Sequence, residues 1–353
     1  MSALVDLHHH GDRDTAPGLL DLAVNVRLPA PPPWLADVIA DSLRDLGTYP
    51  DPTPAVDAIA RRHGVDPQCV LATAGGAEAF TLVARAVAGT RPVVVHPQFT
   101  EPEAALVAAG RPVDRCLLRR EDGFRLDPAA FAPSGEHADA DLVVVGNPTN
   151  PTGVLHPVGD LRALRRRGRV VVVDEAFMDA VPGEPESLIG PRLEGMLVIR
   201  SLTKTWGLAG LRAGYVVGDP ELVAALRGVQ PPWSVSSPAV AATVARLSER
   251  AVAEAEAAAV AFAADRDTLV GELAAVGLST AAPSAAPFVL VDTSPLGDTS
   301  VREDLARGGV AVRRGETFPG LGPTWIRLAV RDPETSRAVA AALDDLRRPR
   351  RVA

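Results

Sequence analysis

Of the 36 basic residues in this chain of 353, one is lysine, Lys204, and all the others are arginine. Guanidinium stays protonated, whereas an amine can lose its proton and attack a carbonyl, so the surviving lysine is the first candidate for chemistry. It stands in Ser201-Leu202-Thr203-Lys204-Thr205-Trp206-Gly207-Leu208-Ala209-Gly210-Leu211-Arg212, directly after the strand-like run Met196–Arg200. Asp174 closes the run Val170-Val171-Val172-Val173, at the carboxyl end of a strand, where open α/β sheets bind ligands. A dianionic phosphate would need converging donors, and hydroxyls such as Ser201, a guanidinium such as Arg212 and free amides at a helix start are of the right kind.

These side chains need a sheet to hold them. Val93–Val95, Leu142–Val145, Val170–Val173, Leu197–Ile199 and Tyr215–Val217 read as buried parallel strands, with crossover helices expected at Glu78–Ala88, Glu101–Ala109 and Val158–Arg167. They define a larger domain over residues 47–235. Residues 1–46 and 236–353 form a smaller α+β domain: a helix over Trp34–Leu46, one or two long helices in the Ala-rich stretch Val240–Val276, strands at Phe288–Val291, Val310–Val312 and Trp325–Val330, and a closing helix Pro333–Arg347. The basic tail Arg347-Arg348-Pro349-Arg350-Arg351 reads as a frayed terminus.

Composition removes several functions. A net charge of -8 argues against nucleic acid or anionic membranes as partners, and 47% hydrophobic with 23% charged residues is the balance of a soluble globular chain. Two cysteines, Cys69 and Cys116, without C-x-x-C or a His/Cys cluster, give neither a disulfide framework nor a metal site and point to a reducing compartment. Asp6, His8, His9, His10 and Asp12 stand where a signal peptide would need a basic start and an apolar run; the expected location is the cytoplasm.

The string around Lys204 resembles the cofactor-lysine signature of fold type I pyridoxal-phosphate enzymes, the aminotransferase class I/II group, and the resemblance runs along nearly the whole chain. It implies an α/β fold with a large domain on a mostly parallel seven-stranded sheet plus a smaller α+β domain. It also implies pyridoxal 5'-phosphate as cofactor, Schiff-based to Lys204, with Arg212 and Ser201 on the phosphate. Asn147-Pro148-Thr149-Asn150-Pro151-Thr152-Gly153 is similar to the family's N-P-x-N-P-T-G loop, which gives Asn150 to the cofactor's phenolic oxygen, and Asp174 would keep the pyridine nitrogen protonated. Gly75-Gly76-Ala77-Glu78 resembles the phosphate-cupping turn, with amides from Gly76 and Ala77. Phe99 matches the aromatic that stacks on the ring, and Tyr49 the tyrosine that reaches the phosphate of a neighbouring subunit, which implies a homodimer with shared active sites. Phe177 departs from relatives that carry tyrosine there.

Other motifs fail on the same single lysine. Ser201-Leu202-Thr203-Lys204 spells the S-x-x-K of serine acyl enzymes, but no K-T-G exists; G-K-[ST] is absent, and no G-x-G-x-x-G follows a strand. A DNA-reading regulator built on this fold is not expected, since the enzyme-like segment starts almost at once with the Trp34 helix and the chain is acidic.

Two branches of the family fit, and both take small phosphorylated amines or amino acids. His10-Gly11-Asp12, Asp21–Val26 and Pro231-Pro232-Trp233 resemble threonine-phosphate decarboxylases of cobalamin synthesis, so decarboxylation of threonine phosphate is the leading expectation, with a histidinol-phosphate-type aminotransferase using a 2-oxo acid as the alternative. Arg27-Leu28-Pro29, Ser236 and Pro287 depart from the decarboxylase pattern. By resemblance His10, Asn25, Arg313 and Arg327 bind substrate, Arg327 at an acid group and Arg313 at a phosphate; Arg314 and Arg331 serve equally well as strand-end ion pairs.

Overall fold

The computed structural model describes residues 6–347. The tail beyond Arg347 lies outside the described residues. The strands are β1 (Leu20–Leu22), β2 (Val70–Thr73), β3 (Pro92–His96), β4 (Asp114–Leu117), β5 (Leu142–Gly146), β6 (Val170–Asp174), β7 (Met196–Ser201), β8 (Gly214–Gly218), β9 (Ser279–Thr280), β10 (Phe288–Asp292), β11 (Val310–Arg314) and β12 (Trp325–Ala329). Seven of them form one sheet in the order β2-β8-β7-β6-β5-β3-β4. Alternation of side chains puts Val93, Val95, Val143, Val145, Val171, Val173 and Val198 into one core and Val94, Val144, Val172, Leu197 and Ile199 into another. The central strands are therefore buried on both faces, which is why they read as unbroken valine runs.

The helices are α1 (Pro33–Ser42), α2 (Thr53–His63), α3 (Gly75–Ala86), α4 (Glu101–Ala108), α5 (Val158–Ala163), α6 (Pro220–Val229), α7 (Ser237–Arg246), α8 (Glu249–Ala275), α9 (Arg302–Arg307) and α10 (Pro333–Asp345). The helix α3 lays Ala79, Phe80, Leu82 and Val83 on the second core. Helix α5 stops at Ala163, short of the expected Arg167. Buried Arg169 turns back and donates from Nη1 to the Leu164 carbonyl at 2.9 Å and from Nε to the Ala140 carbonyl at 2.8 Å, satisfying helix-end and loop carbonyls.

One strand direction differs from expectation. β8 runs antiparallel to both β7 and β2. The link from Ser201 to Gly214 holds no crossover helix, only the Lys204 loop and a 3-10 turn at Ala209–Leu211, so the chain folds straight back. The second sheet has the order β1-β11-β12-β10-β9, with β1 parallel to β11 and the other pairs antiparallel. Its core joins Val289, Val291, Val312, Ile326 and Leu328 to Phe262, Leu269 and Leu273 of α8 and Val339 and Leu343 of α10. Helix α7, beyond the 47–235 boundary, sends Ala239 and Val240 into the large-sheet core.

Candidate active site

The parallel strands of the large sheet end on one side, and the loops leaving β2, β3, β5, β6 and β7 meet there. Lys204 follows β7 in the loop that links it to β8. Its ammonium lies 5.8 Å from the Phe177 ring centroid and makes no ion pair among the described residues. Burial, then the guanidinium groups of Arg327 and Arg212, lower its pKa to about 8, against the opposing pull of Asp174. A large share of neutral, nucleophilic amine is thus available in mildly basic solution.

Behind the amine, Asp174 ends β6 and accepts a hydrogen bond from the Ala176 amide at 3.0 Å. Burial raises its carboxyl to about 6, the Ala176 bond and Lys204 opposing, so the group is mainly ionised at neutral pH. Phe177, with no hydroxyl to offer, packs edge-on against Phe288 at 4.9 Å. Phe99, after β3, sits between Phe80, 6.4 Å away, and the imidazole of His10, 5.5 Å away. Asn150 accepts at Oδ1 from Arg327 Nη1 at 2.6 Å.

On the other side of Lys204, Arg212 and the start of α3 make a cup. Gly75 has a φ of +82°, and a Cβ added there would stand 2.7 Å from Arg212 Nη2, so the residue must be glycine for the guanidinium to reach the helix N-terminus. Arg212 itself has a left-handed φ of +57° and donates from Nη1 to the Ala209 carbonyl at 2.8 Å. The amides of Gly76 and Ala77 open α3, and Ser201, whose hydroxyl lies 2.8 Å from that of Thr203, pairs with Gly214, which packs on Gly75. Cation, helix amides and hydroxyls are the donors that a phosphate requires. Tyr49, 76% exposed, stacks on Trp233 at 4.2 Å.

The arginines from the small sheet divide. Arg327, buried between β10 and β11, donates to Asn150 and to the Ala23 carbonyl, touches no carboxylate, and leaves Nε without a partner. Burial, then the neighbouring Arg313, pulls its pKa well down, and among the described residues its guanidinium is held by neutral oxygens alone. Arg313 is different: Nη1 meets Asp14 at 3.0 Å, Nη2 donates to the His9 carbonyl at 2.8 Å, and the guanidinium lies 4.7 Å over Phe318. Expected at a substrate phosphate, it is instead taken up by Asp14, which Arg314 also grips at 2.8 Å. His10 bonds Glu101 at 2.7 Å. Asn25, buried, has partners for neither amide atom among the described residues and lines a narrow cavity with Lys204.

That cavity also holds residues the motifs did not assign: Arg27, Asp179, Thr205 and Arg331. Thr205 donates to Asp179 at 2.8 Å. The sequence signal for Arg27 was its break with the family pattern; for Asp179, five positions past Asp174, there was none.

An uncommitted amine, a carboxylate behind it, a phosphate cup beside it and an orphaned buried amide together fit pyridoxal 5'-phosphate and define an enzyme that works on amines. The Aminotransferase class I and II family model matches residues 17–343, and the chain belongs to that family of pyridoxal-phosphate-dependent enzymes. A histidinol-phosphate aminotransferase of Mycobacterium tuberculosis is 47% identical over 343 residues, 96% of this chain and 91% of that protein. A threonine-phosphate decarboxylase of Salmonella typhimurium is 30% identical over 344 residues, 92% of this chain and 90% of that protein. Among solved structures, aspartate aminotransferase from Thermus thermophilus with maleate superposes with a TM-score of 0.81 at 27% identity, covering 93% of this chain and 92% of that one. No helix of the described residues is long and apolar enough to cross a membrane.

Proposed function

We propose that this enzyme is an aminotransferase of the histidinol-phosphate type, moving the amino group of a small phosphorylated amine to a 2-oxo acid. The observation that carries this over decarboxylation is the 47% identity to proteins of that name, against 30% to the decarboxylase, over similar lengths. The departures at Arg27-Leu28-Pro29, Ser236 and Pro287 point the same way. Threonine-phosphate decarboxylation, the leading expectation from the N-terminal motifs, becomes the second reading.

When bound, the cofactor supplies an aldehyde for an amine and a ring that draws electrons from the neighbouring carbon. In this reading Lys204 would hold the cofactor, and its amine would move a proton at the substrate α carbon. Asp174 would pair with the ring nitrogen, Asn150 would bond the phenolic oxygen, and Phe99 would cover the ring; Arg212, Ser201 and the amides of Gly76 and Ala77 would hold the phosphate. Arg327 would grip the substrate acid group and so orient the substrate in the cleft. His10 and Asn25 wall the substrate side.

Tyr49 suits a homodimer, since its ring stays largely exposed beside Trp233. The free cysteines Cys69 and Cys116 support a cytoplasmic location. The test is incubation with histidinol phosphate and 2-oxoglutarate beside threonine phosphate alone. Glutamate formed only in the first mixture is the expected result; carbon dioxide released from the second, without any acceptor, overturns the proposal.

A further inference from the structure

We propose that the cavity beside Lys204 contains a second anion subsite, formed by Arg331, Arg27 and the Asn25 amide, which receives the acid group of the amino donor farthest from the reacting amine. This rests on the aminotransferase reading and replaces Arg313, the residue that the family resemblance assigned to that group.

Asn25 is 9% exposed, and both Oδ1 and Nδ2 are without partners among the described residues. A buried amide left unpaired is costly, and a ligand that bonds it removes that cost. Arg331 donates to the carbonyl oxygens of Val330 at 3.0 Å and Val24 at 2.8 Å, and to no carboxylate; Asp21 and Asp332 act on it only from beyond ion-pair distance. The Arg27 guanidinium lies 5.1 Å over the Phe262 ring without a hydrogen bond or ion pair, Asp265 acting from farther off. The only carboxylate on the lining, Asp179, already accepts from Thr205 at 2.8 Å and faces Arg246 at 3.8 Å. Three cations, counting Lys204, therefore share the cavity with one occupied acid, an imbalance that an incoming anion corrects.

Arg313 offers no such opening. An anion arriving there would have to displace Asp14 at 3.0 Å, leaving that buried carboxylate to Arg314 and His9. Between the subsite and the amine the lining is apolar, Phe177, Phe262 and Pro287, which suits a donor whose amine and acid are separated by a nonpolar spacer. Phosphate and carboxylate share the chemistry that two arginines and an amide recognise, and the choice of donors separates them.

The experiment is steady-state kinetics on the holoenzyme with 2-oxoglutarate as acceptor and histidinol phosphate, histidinol or glutamate as donor, comparing the wild type with Arg331→Met, Arg27→Met and Arg313→Met. Loss of a charge-assisted contact lowers affinity about 10- to 100-fold. The expected result is that Arg331→Met and Arg27→Met each cut the preference for histidinol phosphate over histidinol by that factor, through KM, while the absorbance of the bound cofactor stays unchanged. A matching loss for glutamate with no loss for histidinol phosphate assigns the subsite to a carboxylate. An unchanged preference in both variants, or one lost only in Arg313→Met, overturns the proposal. If the wild type accepts none of these donors, the aminotransferase reading fails, and calorimetric titration of the holoenzyme with inorganic phosphate decides the subsite alone. Weakened binding in Arg331→Met and Arg27→Met supports it; equal binding in all proteins refutes it.

Discussion

Replacing Asp174 by asparagine separates what this residue does for the cofactor from what it costs the fold. Burial raises its carboxyl from the ordinary 3.8 to about 6, so between those values the cofactor-free fold holds a proton that the unfolded chain has released. The sign follows: stability falls as pH rises through that window, and the full cost is present above about pH 6. Two units at 1.36 kcal/mol each set an upper bound of about 3 kcal/mol, and access from the cleft lowers the expected value to about 1–3 kcal/mol. Asparagine keeps the oxygen that accepts from the Ala176 amide and carries no charge. Cofactor-free Asp174→Asn is therefore expected to be more stable than the wild type by that amount at pH 7.5, with the gap closing towards pH 4.5, in urea unfolding followed by circular dichroism. The same variant should bind the cofactor more weakly, because the ring nitrogen loses its carboxylate. A gap independent of pH, or a wild type that is the more stable protein at pH 7.5, refutes the reasoning.

Arg212→Ala removes the one guanidinium at the Gly75 turn and should raise the cofactor dissociation constant about 10- to 100-fold in an absorbance titration; an unchanged constant ends its phosphate role. Arg313→Met leaves the buried Asp14 short of a partner and should cost about 3 kcal/mol in unfolding free energy with little change in cofactor affinity, whereas a fully stable variant with a raised donor KM would return Arg313 to the substrate.

The central strands and the Lys204 loop were legible because both are local: a strand buried on two faces is written as a valine run, and the cofactor lysine with its arginine fits in nine consecutive residues. The direction of β8 was less legible, since Tyr215–Val217 has the same composition as its parallel neighbours and only the missing crossover helix gives it away. The partner of Arg313 lies 299 residues earlier in the chain, and no spacing rule connects it to Asp14. For Arg331 the sequence left anion binding and a strand-end ion pair equally open, and its guanidinium settles on the carbonyl oxygens of Val330 and Val24. Helix α7 shares its Ala-rich composition with α8, and only packing assigns it to the large core.

The most direct test of the account is borohydride reduction of the purified holoenzyme, followed by peptide mapping. The reduced cofactor should be found on the peptide that carries Lys204, and Lys204→Ala should yield no adduct and no amino transfer. An intact wild type with no adduct there, or a Lys204→Ala variant that turns over at the normal rate, would contradict the claim.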